Sequence, residues 1–212
     1  MIEVTHQISA VRRQVGSRVI EAGLARVLTI SQSYATSADD LWEACTNPER
    51  IGRWFLPVTG DLTLGGRYQV QGNAGGTVER CDPPKSFAAT WEFGGEVTWI
   101  EVTVTPEADG SARLQLEHLA HVDDERWAEF GPGAVGIGWD MAFVGMAKHI
   151  SEGGAAVDRQ EAAAWPMSDE GKQFMSLSSE RWREASVEAG TDEEAAQAAA
   201  DRCLAAYTGA TP

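Results

Sequence analysis

Between Gly133 and Ile150 the chain carries one pattern that the rest must be folded around. Val135, Trp139, Ala142, Phe143, Met146 and Ile150 recur at spacings of three, four and seven, which places them on one face of an α-helix. Gly131-Pro132-Gly133 punctuates the chain before this stretch, and Gly153-Gly154 stops it. Gly136, Gly138 and Gly145 lie inside it, although each glycine costs a helix about 1 kcal/mol relative to alanine. Something must therefore come close to this helix. Close packing against a sheet is the weightier explanation, and room for a bound molecule is the other. Asp140 falls off the apolar stripe and is expected at the surface.

A long apolar helix needs a surface to cover, and the preceding residues supply one. Ala25–Tyr34 alternates, with Val27, Thr29, Ser31 and Ser33 on one face and Leu28, Ile30, Gln32 and Tyr34 on the other. Two short helices follow. Ser37 caps the first, with Asp39 and Asp40 in its opening turn; Asn47 caps the second, with Pro48 at its first position, and it runs to Trp54. The pattern then becomes β. Asp61–Leu64 and Arg67–Gln71 read as strands joined at Gly65-Gly66, and Gly75-Gly76 reads as a turn into Thr77–Cys81. Asp82-Pro83-Pro84 ends that strand, Ser86–Phe93 and Val97–Thr105 come next, and Asp109-Gly110 turns the chain into Ala112–His121. A strand, two short helices, about six antiparallel strands and one long helix make an α+β domain whose helix covers one sheet face.

The flanks read differently. Residues 4–15 predict a short amphipathic helix through Ile8, Val11 and Val15, stopped by Gly16. After Gly154, Ala162–Pro166 reads as a connector. Ser178 or Ser179 would cap a helix through Trp182 to Ala189. Thr191 and Glu194 match a capping box for an alanine-rich helix that runs to about Tyr207. The expected division is an N-terminal arm at 1–24, a main domain at 25–152, and a helical extension at 153–212 packed on it.

Composition narrows the function classes. The net charge of −15 repels phosphate backbones, so no nucleic-acid partner is expected. No apolar run reaches the ~18 residues that suggest a membrane span, and the N-terminus lacks a signal-peptide core. Cys45, Cys81 and Cys203 are scattered and without paired spacing, which argues for a reducing compartment and against a zinc site. A cytoplasmic location is the expectation.

Several strings resemble a known group when taken together: SADDLWEACTNPERIGRWF at Ser37–Phe55, LGGRY at Leu64–Tyr68, CDPPKSFAATWEF at Cys81–Phe93 and GSARLQLEH at Gly110–His118. They resemble the START-related SRPBCC superfamily, and within it the homologues of the activator of the heat-shock-protein-90 ATPase. The resemblance covers about Arg26 to Ser151. It implies a helix-grip fold, in which a curved antiparallel sheet wraps around the long C-terminal helix and leaves a cavity between them. On that fold the expected ligand-binding residues are Trp54 and Phe55 from the short helices, and Tyr68, Val70 and Trp91 from the first strands. Ile100, Val102, Leu116 and His118 come from the last strands, and Trp139, Phe143 and Met146 from the helix. The bland alternative is that these residues simply fill a core. The family name also implies chaperone activation. The eukaryotic activator engages its chaperone through a separate N-terminal domain, for which this chain offers only a short arm, so a chaperone partner is not expected.

His118 shares a strand face with Leu114 and Leu116, and could orient a ligand or move a proton. It also begins an HxxH string with His121. Positions three apart on a strand face opposite sides, so no metal site is expected there. No nucleophile elbow, zinc-protease helix, phosphate loop or dinucleotide fingerprint occurs, and no cofactor is expected. The leading reading is a protein that binds a small hydrophobic or aromatic molecule without an assigned reaction. The alternatives are an aromatase/cyclase-like enzyme using the same cavity, or an interaction protein. Homodimerisation stays open.

Overall fold

The structure is a computed structural model and describes residues 3–21 and 23–209. Met1 and Pro212, the expected outer limits of the arm and the extension, lie outside that range. The fold is α+β. Helix α1 (Val4–Ala10) leads into strands β1 (Arg12–Ile20) and β2 (Gly23–Tyr34). Helices α2 (Ala38–Thr46) and α3 (Pro48–Trp54) follow. The next strands are β3 (Val58–Gly60), β4 (Arg67–Val70), β5 (Gly75–Asp82), β6 (Ser86–Phe93), β7 (Glu96–Pro106) and β8 (Ala112–Ala120). Then come α4 (Asp124–Phe130), the long α5 (Gly133–Ser151), α6 (Arg159–Ala164), α7 (Asp169–Glu188) and α8 (Glu193–Thr208). The strands form one eight-stranded sheet in the order β1-β2-β8-β7-β6-β5-β4-β3, with antiparallel pairing from β3 through β8. The expected strand, two helices, antiparallel run and long helix are all present.

The chain divides into two compact units. The first comprises Met1–Ile30, His121–Val144 and Asp158–Pro212; the second comprises Ser31–Ala120 and Gly145–Val157.

In the second unit the caps act as the sequence indicates. The Ser37 side chain accepts from Asp40 N–H, and Asn47 ends α2 while its side chain accepts from Glu49 and Arg50 N–H to begin α3. Two turn readings are corrected. Asp61–Leu64 is a turn, because Asp61 Oδ1 accepts from both Thr63 N–H (2.9 Å) and its hydroxyl (2.7 Å). The strand is instead Val58–Gly60, paired with β4. Gly75 and Gly76 lie within β5, not in a turn. Tyr68 stands opposite Gly76 in the ladder and donates its hydroxyl to Thr90 O on β6 at 2.6 Å. A Cβ on Gly76 would lie 2.0 Å from that same oxygen. Glycine is needed here for the close crossing.

In the first unit α1 is shorter than its periodicity predicts. Val11 is already extended, and Gly16 sits inside β1 instead of ending a helix. Val4 and Ile8 pack with Phe174 of α7, and Met141, Val144, Trp165 and Leu177 complete that cluster. Helix α7 begins well before Ser178, at a Ser168 cap with Asp169 and Glu170 in its first turn; Ser178 and Ser179 are buried mid-helix. Asp192, not Thr191, caps α8 by accepting from Ala195 N–H at 3.0 Å. Helix α4 went unpredicted, although Asp123 caps it, Asp124 and Glu125 open it, and Gly131 ends it with φ 60°.

Candidate functional site

The ladder settles which expected ligand residues share a face. His118 lies opposite Ile100, and Ile100 opposite Ala89; Leu116 lies opposite Val102, and Val102 opposite Phe87. Residues directly opposite point the same way, and so do alternate residues along a strand. Ile100, Val102, Leu116, His118 and, by alternation from Ala89, Trp91 therefore occupy one face. Tyr68 and Val70 join them through the pairing of Tyr68 with Gly76 and of Val78 with Ala89. Tyr68, Val70, Ile100, Val102, Leu116 and His118 are buried, while Trp91 is half-buried. Trp54 and Phe55 are half-buried at the end of α3, with ring centroids 5.6 Å apart. The Trp54 indole donates to Ala44 O at 2.9 Å. Met146 is fully buried on the α5 segment of this unit. Trp139 and Phe143 belong to the first unit, the former half-buried and the latter buried.

His118 is the polar group of this face with chemistry to offer. Burial lowers its pKa from the ordinary 6.5 to about 4, so the imidazole is neutral at pH 7. A neutral ring can accept or donate a hydrogen bond but is a weak acid. The sign of the resulting pH dependence follows. Between about pH 6.5 and pH 4 the unfolded chain takes up a proton that the folded chain refuses, so stability falls as pH falls, by about 1.4 kcal/mol per unit at most. Urea unfolding at pH 7 and pH 5 should show a steeper acid loss for the parent than for His118→Gln, by about 2 kcal/mol or less. Parallel losses would overturn the assignment.

A second polar cluster lies in the same unit and was not read from the sequence. Arg50 Nε donates to His149 Nε2 at 3.1 Å, and its Nη1 donates to Asp40 Oδ1 at 3.0 Å. His149 is fully buried, and its Nδ1 contacts Ala155 O at 2.7 Å. Accepting from arginine requires a bare Nε2, so the proton sits on Nδ1 and is donated to the carbonyl. Both ring nitrogens are committed, which leaves no free base. The cluster fastens α2, α3 and the end of α5 together. Each of its residues is unremarkable in the sequence, so no local signal marked it.

Asp140 is the main correction in the first unit. It is fully buried, not exposed. Arg13 Nε and Nη2 donate to its two carboxylate oxygens at 2.9 and 2.8 Å, and Ser178 Oγ and Trp182 Nε1 donate to Oδ2 at 2.5 and 2.9 Å. The helix glycines are explained by packing in both units. A Cβ on Gly136 would lie 2.3 Å from Trp182 Cε2, and one on Gly145 would lie 2.2 Å from Trp54 O. A cavity of about 230 Å³ does open in the first unit, between α4, α7, α8 and the start of α5. None of the expected ligand residues lines it.

The remaining reactive groups are quiet. His121 Nδ1 contacts Leu24 O at 2.8 Å. Among the described residues no group of three or more His, Cys, Asp or Glu side chains is disposed to hold a metal ion. Burial pushes the Cys45 thiol up to about 12 and Cys203 to about 11, so neither is a thiolate near pH 7. Among the described residues no helix is long and apolar enough to cross a membrane.

Known proteins share this architecture. Residues 35–151 match the family described as Activator of Hsp90 ATPase homolog 1-like protein. The chain is 33% identical to CalU16 from Micromonospora echinospora. Against its crystal structure the TM-score is 0.66, over 83% of this chain and 98% of that one. Against its solution structure the TM-score is 0.68, over 85% and 97%. DynU16, a protein of the dynemicin biosynthetic locus, is 21% identical with a TM-score of 0.51, over 61% of this chain and 48% of that one. MLL2253 from Mesorhizobium loti is 20% identical with a TM-score of 0.53, over 60% and 98%. No curated protein matches.

Proposed function

We propose that this chain, which belongs to the Activator of Hsp90 ATPase homolog 1-like family, binds a small hydrophobic or aromatic molecule against the apolar face of β4–β8 and performs no reaction of its own. The observation that carries this reading is the face itself. Tyr68, Val70, Trp91, Ile100, Val102 and Leu116 share it, and His118 is its ionisable group. Ligand sites of this kind pair an apolar lining with few, well-placed polar groups. A neutral imidazole suits the task of orienting a ligand by one hydrogen bond. Trp54, Phe55 and Met146, of the same unit, complete the proposed ligand set. That a like-folded protein, DynU16, comes from a biosynthetic locus agrees with a small-molecule ligand.

One observation favours a second reading. A buried histidine on an apolar face is also what a cyclase-like enzyme would use to move a proton. His118→Ala separates the two: an enzyme loses turnover, whereas a binder loses at most part of its affinity. Native mass spectrometry of the freshly purified protein is the primary test. The expected result is a discrete added mass that denaturation releases. A bare mass, together with no tryptophan-fluorescence response to a panel of apolar compounds, would overturn the proposal in favour of a filled core.

A further inference from the structure

We infer that the cavity between α4, α7 and α8 is a binding site for a small aromatic carboxylate, independent of the sheet face. Its volume is about 230 Å³. It is a concave pocket that opens to solvent, the form in which proteins hold small ligands. The pocket has a sequence cause. Helix α8 presents Ala196, Ala199 and Ala200 to the indoles of Trp127 and Trp182, so one wall is only methyl groups where larger side chains would close the gap. The aromatic wall suits a flat apolar body.

Most polar side chains around the cavity are already engaged. Ser179 Oγ donates to Ala200 O at 3.2 Å, Ser186 Oγ to Thr191 Oγ1 at 2.9 Å, and Trp182 Nε1 to Asp140. Arg26 is held by Asp124 at 2.6 Å and lies 4.4 Å over the Trp127 ring. Arg183, half-buried, makes no hydrogen bond or ion pair with any described residue. Among the described residues no carboxylate lines the cavity, although the chain as a whole carries a net charge of −15. The wall thus offers an uncommitted guanidinium beside aromatic surface in a chain that otherwise repels anions. A guanidinium pairs with a carboxylate through two parallel hydrogen bonds. The amino end of α5, at Pro132 and Gly133, also lines the space, and its partial positive charge acts in the same direction.

The test titrates the full chain with phenylacetate, and with 2-phenylethanol as the neutral counterpart, by calorimetry and tryptophan fluorescence. The expected result is saturable phenylacetate binding and at least tenfold weaker binding of the alcohol. Arg183→Gln should weaken phenylacetate at least tenfold. Ala200→Leu, which fills the space, should abolish binding of both compounds with the thermal midpoint retained or raised. Arg181→Gln, which loses only a surface pair with Glu184, should bind as the parent does. No saturable response at millimolar phenylacetate overturns the inference. So does binding that survives both Arg183→Gln and Ala200→Leu, a result that leaves the sheet-face proposal standing.

Discussion

Asp140→Ala is expected to cost about 3–5 kcal/mol, out of a total stability of about 5–15 kcal/mol for a domain of this kind. The carboxylate receives donors from three residues on two elements: Arg13 of β1, and Ser178 and Trp182 of α7. The Arg13 side chain is only 3% exposed, and its remaining partners are the carbonyls of Ile8 and Val11. Removing Asp140 therefore leaves a buried cation without its counter-charge and two donors without an acceptor. Each part of that loss carries a desolvation cost that the folded chain cannot relieve by moving to water. Urea unfolding at pH 7, followed by tryptophan fluorescence, measures the effect. Asp140→Asn should lie between Ala and the parent, because it keeps an acceptor but loses the charge. Arg13→Met combined with Asp140→Leu should recover most of the stability, since a well-packed apolar pair has no charge to desolvate. A loss below 1 kcal/mol for Asp140→Ala would show that the carboxylate does not hold these elements together.

Substitution of the helix glycines by alanine should produce opposite signs at positions only a few residues apart. Gly136→Ala would push a methyl to 2.3 Å from the Trp182 ring, and Gly145→Ala to 2.2 Å from the Trp54 carbonyl oxygen. Neither neighbour is the loose end of a flexible chain, so each substitution should destabilise by about 1–3 kcal/mol through overpacking, more than the helical gain offsets. Gly138→Ala meets only the Tyr207 hydroxyl at 3.4 Å. There the helix gains up to about 1 kcal/mol of propensity, and the thermal midpoint should rise. Thermal unfolding of the three variants checks the order. A rise at Gly136→Ala would mean that α7 does not pack as close as described.

The glycines show how far local pattern reaches. Their cost to the helix is visible in the sequence, and so is the inference that something approaches. Which atom approaches depends on Trp182 and Trp54, whose distance along the chain gives no local sign. Gly75-Gly76 fails as a turn for the same reason. A glycine pair is the usual mark of a turn, but here Gly76 is required because Tyr68 crosses β5 to reach Thr90. Conversely, α4 and the true start of α7 were legible. Asp123 with Asp124 and Glu125, and Ser168 with Asp169 and Glu170, are ordinary capped starts. On the candidate site, alternation placed Ile100, Val102, Leu116 and His118 on one face, and the ladder agrees. The Arg50–His149 pair and the first-unit cavity had no such signal.

By itself the sequence determined what short-range physics controls. Side-chain periodicity of two and of three to four marked β2, β4, β6, β7, β8 and the long helix, and caps marked the starts of α2 and α3. The order of these elements fixed an α+β architecture. Only the tertiary structure decided where charge is buried. Asp140 looks solvated on any helical wheel drawn from its own segment, because burial of a carboxylate becomes affordable only when Arg13, Ser178 and Trp182 arrive together from remote parts of the chain. The same holds for the alanines of α8, which are good helix formers in isolation and become a cavity wall only opposite Trp127 and Trp182.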